Sequence, residues 1–151
     1  MPRIANAPVA ALVAALLVGF ALPAVARNSV YHLSIKDVLD SEDFRTHVGN
    51  DVMFFFGNQS APAGATLKGT FVANHKTNSV GKSDERACAW AMVSALVSLR
   101  ERALREGGNA VVNVVSYYDK IPFASETEYE CHAGGIIAGV VLQGTIARTS
   151  R

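Results

Sequence analysis

The stretch SDERACAWAMVSALVSLRERALREGG, residues 83–108, carries the clearest helix signal of the chain. Ser83 is a capping residue, and Asp84 and Glu85 follow where a helix favours negative charge. Gly107-Gly108 close the far end. Between these signals Cys88, Ala91, Met92, Ala95, Leu96, Leu99 and Ala103 recur at spacings of three and four, which places them on one stripe. Arg86, Arg100 and Arg105 fall on the opposite face. Such a helix needs a sheet to lie on, and the stripe reads as core packing rather than a ligand box.

Strand patterns flank the helix on both sides. Upstream, Val30 to Leu33 suits a short opening strand. Ser34 and Ser41 then cap two short helical turns, over Ile35–Leu39 and from Glu42 to the stop at Gly49-Asn50. Val52 to Phe56 is a compact aromatic run, residues 58–65 form an exposed loop rich in turn residues, and Leu67–Ala73 follows as its expected hairpin partner. The polar segment Asn74–Lys82 is expected to be irregular. Downstream, Ala110–Tyr118 is rich in valine, Asp119 to Ser125 with Pro122 makes a turn, Glu126–His132 alternates, and Ile136–Ala147 is a long apolar run. The order predicts an α+β fold: one long helix packed on an antiparallel-dominated β-sheet.

The first 26 residues read as a cleaved signal peptide. Arg3 is their only charge, Val9 to Leu22 is apolar apart from Gly19, and Ala24-Val25-Ala26 supplies the small residues that signal peptidase accepts. The run is short for a bilayer span of about 20 residues. Cleavage leaves one α+β domain, residues 27–151, and assigns it a periplasmic or secreted location without a stable membrane anchor. Losing Arg3 leaves 13 Lys and Arg against 13 Asp and Glu. That balance argues against nucleic acid or an anionic membrane held through net charge as a partner, since such a grip needs an overall basic excess.

Cys88 and Cys131 are the only cysteines, 43 residues apart. Cys88 lies on the helix stripe. Cys131 shares a strand face with Thr127 and Tyr129, so a helix crossing that strand brings the two together. An exported location favours a disulfide, whose loop closure is worth about 4 kcal/mol in the chain-entropy account. Two buried thiols or a shared soft-metal site are the alternatives.

Other patterns that imitate function have simpler readings. Gly81-Lys82-Ser83 before a helix resembles the end of a phosphate loop, but Lys76 stands where that loop needs glycine. A turn and an N-cap explain it, so no nucleotide site is expected and an ATPase label would be unsafe. Glu126, Glu128, Glu130 and His132 recur at a spacing of two, which a strand displays on one face. Three carboxylates and an imidazole suit a divalent cation, while the same row also serves as a solvated strand face that discourages edge pairing. His32, His47 and His75 are scattered, and no Gly-x-Ser-x-Gly elbow occurs. No catalytic residue and no cofactor are assigned.

Gly108-Asn109-Ala110-Val111-Val112, placed between a long helix and an apolar final strand, resembles the YbjQ-type proteins labelled heavy-metal binders. It also resembles the periplasmic domain of the RcsF envelope-stress sensor. Lys76 to Glu85 and Glu128 to Gly134 are similar to small exported proteobacterial proteins of unknown role that carry an excinuclease-ATPase label. The resemblance implies this fold and an envelope location. The stress sensor is a lipoprotein with four disulfide cysteines, whereas this chain has no lipidation cysteine and a single pair. The resulting expectation is a non-enzymatic binding domain whose partner is an envelope protein or a small ligand, and an oligomer is compatible with it. A metal-binding protein using Glu126 to His132 and a hydrolase are the rivals.

Overall fold

A computed structural model describes residues 26–150. The expected signal peptide therefore lies outside the described residues, apart from Ala26. The elements are β1 (Ser29–Ser34), α1 (Ile35–Leu39), α2 (Glu42–His47), β2 (Met53–Phe56), β3 (Thr66–Asn78), α3 (Asp84–Arg105), β4 (Ala110–Ser116), β5 (Glu128–Ala133) and β6 (Ile137–Arg148), with a 3-10 turn at Tyr118–Lys120. Together they make a mixed α+β fold. Six strands form one mostly antiparallel sheet, and α3 packs across one side of it.

The helix forms where its signals lie. Ser83 Oγ accepts from the Arg86 N–H at 3.1 Å. At the other end Gly107 takes a left-handed φ of 70°. The Gly108 N–H then reaches the Ala103 carbonyl at 2.7 Å and the Gly107 N–H reaches Leu104 at 3.1 Å. Two otherwise orphaned carbonyls are satisfied by this closing turn. Every residue of the predicted stripe is buried, and Ala87 and Val93 widen it. Opposite it lie Val140, Leu142 and Ile146 of β6, Ala73 of β3, and Val111 and Val114 of β4.

The upstream pairing differs from expectation. β2 does not form a hairpin with the following strand. It runs parallel to β4, with Met53 opposite Ala110, while β3 pairs antiparallel with β6 from Thr66–Arg148 to Asn78–Ile137. β3 also continues through the polar segment expected to be irregular. The twelve-residue β6 offers a backbone partner along that whole length. Alternation then turns His75 toward α3 and leaves Asn74 and Lys76 on the opposite side. The 58–65 loop is not merely an exposed connection. Its Ala61 and Ala65, together with Met53 and Phe55, pack on Ala110, Val112 and Ala147, making a small second core on the face away from α3.

A disulfide joins Cys88 and Cys131, whose Cα atoms are 5.8 Å apart and whose side chains are fully buried. It ties the first turns of α3 to β5. That strand forms a ribbon with β1 over six residue pairs but meets β6 only at His132–Gly139 and Ala133–Ala138. The staple thus fastens a ribbon whose pairing to the rest of the sheet is only two residue pairs long.

Candidate functional site

The helix covers one face of the sheet, and the opposite face carries the chemistry. On that face β1 and β5 place His32 directly opposite Glu130. One carboxylate oxygen lies 2.8 Å from His132 Nε2 and the other 3.6 Å from His32 Nε2. With Nε2 engaged by the carboxylate, His132 Nδ1 is buried and has no hydrogen-bond partner among the described residues. Both rings are stacked: Tyr118 on His132 at 3.4 Å between centroids, and Phe123 on His32 at 4.4 Å.

The aromatic lids come from the segment between β4 and β5. Ser116 and Phe123 exchange two backbone hydrogen bonds, at 3.1 and 2.8 Å, so the chain between them projects as a tight loop. The Ser116 hydroxyl also accepts from the Glu130 N–H at 2.8 Å, fixing the loop to β5. Within the loop Asp119 and Lys120 both have positive φ, 49° and 64°. Two consecutive left-handed residues without glycine store strain, which persists only where the surroundings over-determine it.

Beside the stacked pair this loop forms one wall of a groove of about 470 Å³. Val72, Asn74 and Lys76 of β3 form the other wall, and Gly139 and Val141 of β6 lie at its base. The Lys76 stem runs across the groove floor, since a Cβ added at Gly139 would sit 3.4 Å from its Cγ. Neither Lys76 nor Lys120 pairs with a carboxylate among the described residues. The result is an apolar floor, an aromatic edge and two available ammonium groups against the single carboxylate of Asp119.

Of the predicted acidic row, Glu130 and His132 are hydrogen-bonded to each other. Glu128 stands at the exposed start of β5, and Glu126 falls in the bend before the strand begins. Among the described residues no group of three or more His, Cys, Asp or Glu side chains converges to hold a metal ion. His32 is the member that inspection of the sequence missed. The signal that finds it is the β1–β5 register, which depends on pairing between strands nearly a hundred residues apart.

The helix side holds a second cluster. His75 Nε2 and Ser98 Oγ are 2.6 Å apart beside a recess of about 440 Å³ that Trp90, Val97 and Glu101 help to line. This is the base-and-hydroxyl half of a hydrolytic centre. Ser98 sits in the interior of α3, where the surrounding N–H groups are committed to the helix, so none is free to stabilise an oxyanion. The contact is adequately explained as a tie between β3 and α3. Gly81-Lys82-Ser83 resolves as a turn, with Lys82 Nζ donating to the Asn78 carbonyl and Ser83 capping α3. No family model, curated protein or solved structure matches this chain.

Proposed function

We propose that this protein is an exported, non-enzymatic binding domain of the bacterial envelope, and that it holds a segment of another envelope protein in the groove between β3 and the Tyr117–Lys120 loop. The observation that carries this reading is the strained loop, held over the sheet by the Ser116–Phe123 bridge and the Tyr118–His132 stack. A fold gains no stability from two left-handed residues, whereas a preformed rim lowers the ordering cost of binding. Lys76 and Lys120 favour an acidic or carboxylate-bearing segment. The disulfide supports a non-reducing compartment, and no helix among the described residues is long and apolar enough to cross a membrane. The likeness to YbjQ-type and RcsF-like domains is compatible with the same reading.

Two measurements test it. Replacing Lys120 with a photo-crosslinking phenylalanine derivative should trap a discrete envelope protein in living cells, whereas the same residue at exposed Lys36 on α1 should not. Absence of an adduct at Lys120, or the same adduct from both positions, would remove the groove from consideration. For the location, intact mass of the exported protein should begin at Arg27, because Ala24 and Ala26 meet the cleavage rule. A species that keeps Met1 and pellets with membranes would refute the cleaved, periplasmic form.

A further inference from the structure

Three parts of the chain meet at one end of the sheet: the start of β1, the β5–β6 turn and the β3–α3 loop. Ser29 pairs with Ala133, Asn78 pairs with Ile137, and the Ser79 N–H donates to the Ile136 carbonyl at 2.9 Å. A Cβ placed on Gly134 would lie 3.2 Å from the Arg27 carbonyl oxygen, so the chain enters the fold directly beside that turn. Here three large aliphatic side chains turn outward. Val80, Ile136 and Ile137 are 63%, 64% and 47% exposed, and with Lys76 they border one recess of about 420 Å³. Exposed apolar residues usually occur singly, and a gathered set marks a contact surface.

The rim of this tip is basic. Lys76 and Lys82 form no ion pair among the described residues. Asp84 is already engaged by Arg27 and by the Tyr31 hydroxyl, and Glu85 borders a different recess, against α1 and α2.

We propose that this tip is a membrane-contact surface. Val80, Ile136 and Ile137 enter the interface of an anionic phospholipid bilayer, and Lys76 and Lys82 rest among the headgroup phosphates. Apolar side chains flanked by Lys76 and Lys82 match what interfacial binding requires. A second copy of the chain is the poorer occupant, because a twofold contact through this patch sets the lysines of the two rims against each other. The tip shares Lys76 with the groove, which opens on the sheet face, while Val80, Lys82, Ile136 and Ile137 belong to the tip alone.

The test is flotation of the exported protein with vesicles. All strand pairs and both cores lie within residues 29–148, so the form beginning at Arg27 carries the complete fold. Wild type should float with vesicles containing phosphatidylglycerol, float poorly with phosphatidylcholine alone, and release in high salt. Ile136→Asp with Ile137→Asp should reduce flotation at least tenfold while leaving the circular dichroism spectrum unchanged. Leu67→Asp, at an exposed site outside the tip, should float like wild type. If the Ile136/Ile137 variant unfolds, Val80→Asp with Lys82→Glu serves in its place. Failure of wild type to bind anionic vesicles would overturn the proposal, as would undiminished flotation of the tip variants. A wild-type dimer that both tip variants convert to monomer would assign the patch to self-association instead.

Discussion

Replacing Cys88 and Cys131 together with alanine should lower stability by about 2–5 kcal/mol, the usual loss for a native bridge in a small exported domain. The double substitution avoids a stray thiol that would form intermolecular bridges. The loss should also be uneven. β5 meets β6 at only two residue pairs, whereas β3 meets β6 at twelve. The β1–β5 ribbon therefore depends on the tie to α3 and on the packing of Tyr129 and Cys131 beneath the helix. Amide hydrogen exchange should accelerate most in Val30–Leu33 and Tyr129–Ala133, and least in the middle of β6. Since His32, Glu130 and His132 all sit on that ribbon, the stacked pairs should loosen with it. Urea unfolding and site-resolved exchange measure both effects. A change below about 1 kcal/mol, or acceleration spread evenly over the sheet, would show that the ribbon is held by packing alone.

What could be read from the sequence was local. The caps, dipole charges and closing glycines of α3 lie within one continuous segment, and its stripe follows from the helical period. The cysteine pairing was accessible because Cys88 shares the stripe and Cys131 lies on the buried side of β5, two positional facts that one contact satisfies. Pairing partners were not accessible. Val52 to Phe56 and Leu67 to Ala73 look like a hairpin because neighbours in sequence usually pair, but β6 is long enough to take all of β3, leaving β2 to pair with β4. The polar residues of Asn74–Asn78 concealed a strand for the same reason. One of its faces meets α3 and the other is open, so composition alone suggested a loop. The outer-face site fell in this blind spot, being assembled from β1, β3, β5, β6 and a loop whose relative positions only the register defines.

The two glycines inside β6 should respond oppositely to substitution, and the contrast tests the face assignment on which the groove rests. A Cβ added at Gly144 would sit 2.5 Å from Val111 Cγ1 and 3.4 Å from Val114 Cγ2, with Leu99 Cδ1 at 3.7 Å. That position faces α3 in a fully packed core, so Gly144→Val forces the helix and β4 apart and should cost about 3 kcal/mol or more. Gly139 lies on the same strand but on the opposite face, where a new Cβ meets only the Lys76 stem at 3.4 Å and the His75 carbonyl at 3.6 Å. A flexible lysine gives way at little cost, and removing glycine reduces the entropy of the unfolded chain. Gly139→Ala should therefore lie within about 0.5 kcal/mol of wild type or slightly above it. The larger Gly139→Val should keep most of the stability yet fill the groove floor beneath Lys76 and Val141, abolishing the cross-link from Lys120. Urea midpoints for the three variants separate core from groove. If Gly139→Val retained the cross-link at full yield, the segment captured there would have to approach over the loop rather than along the sheet.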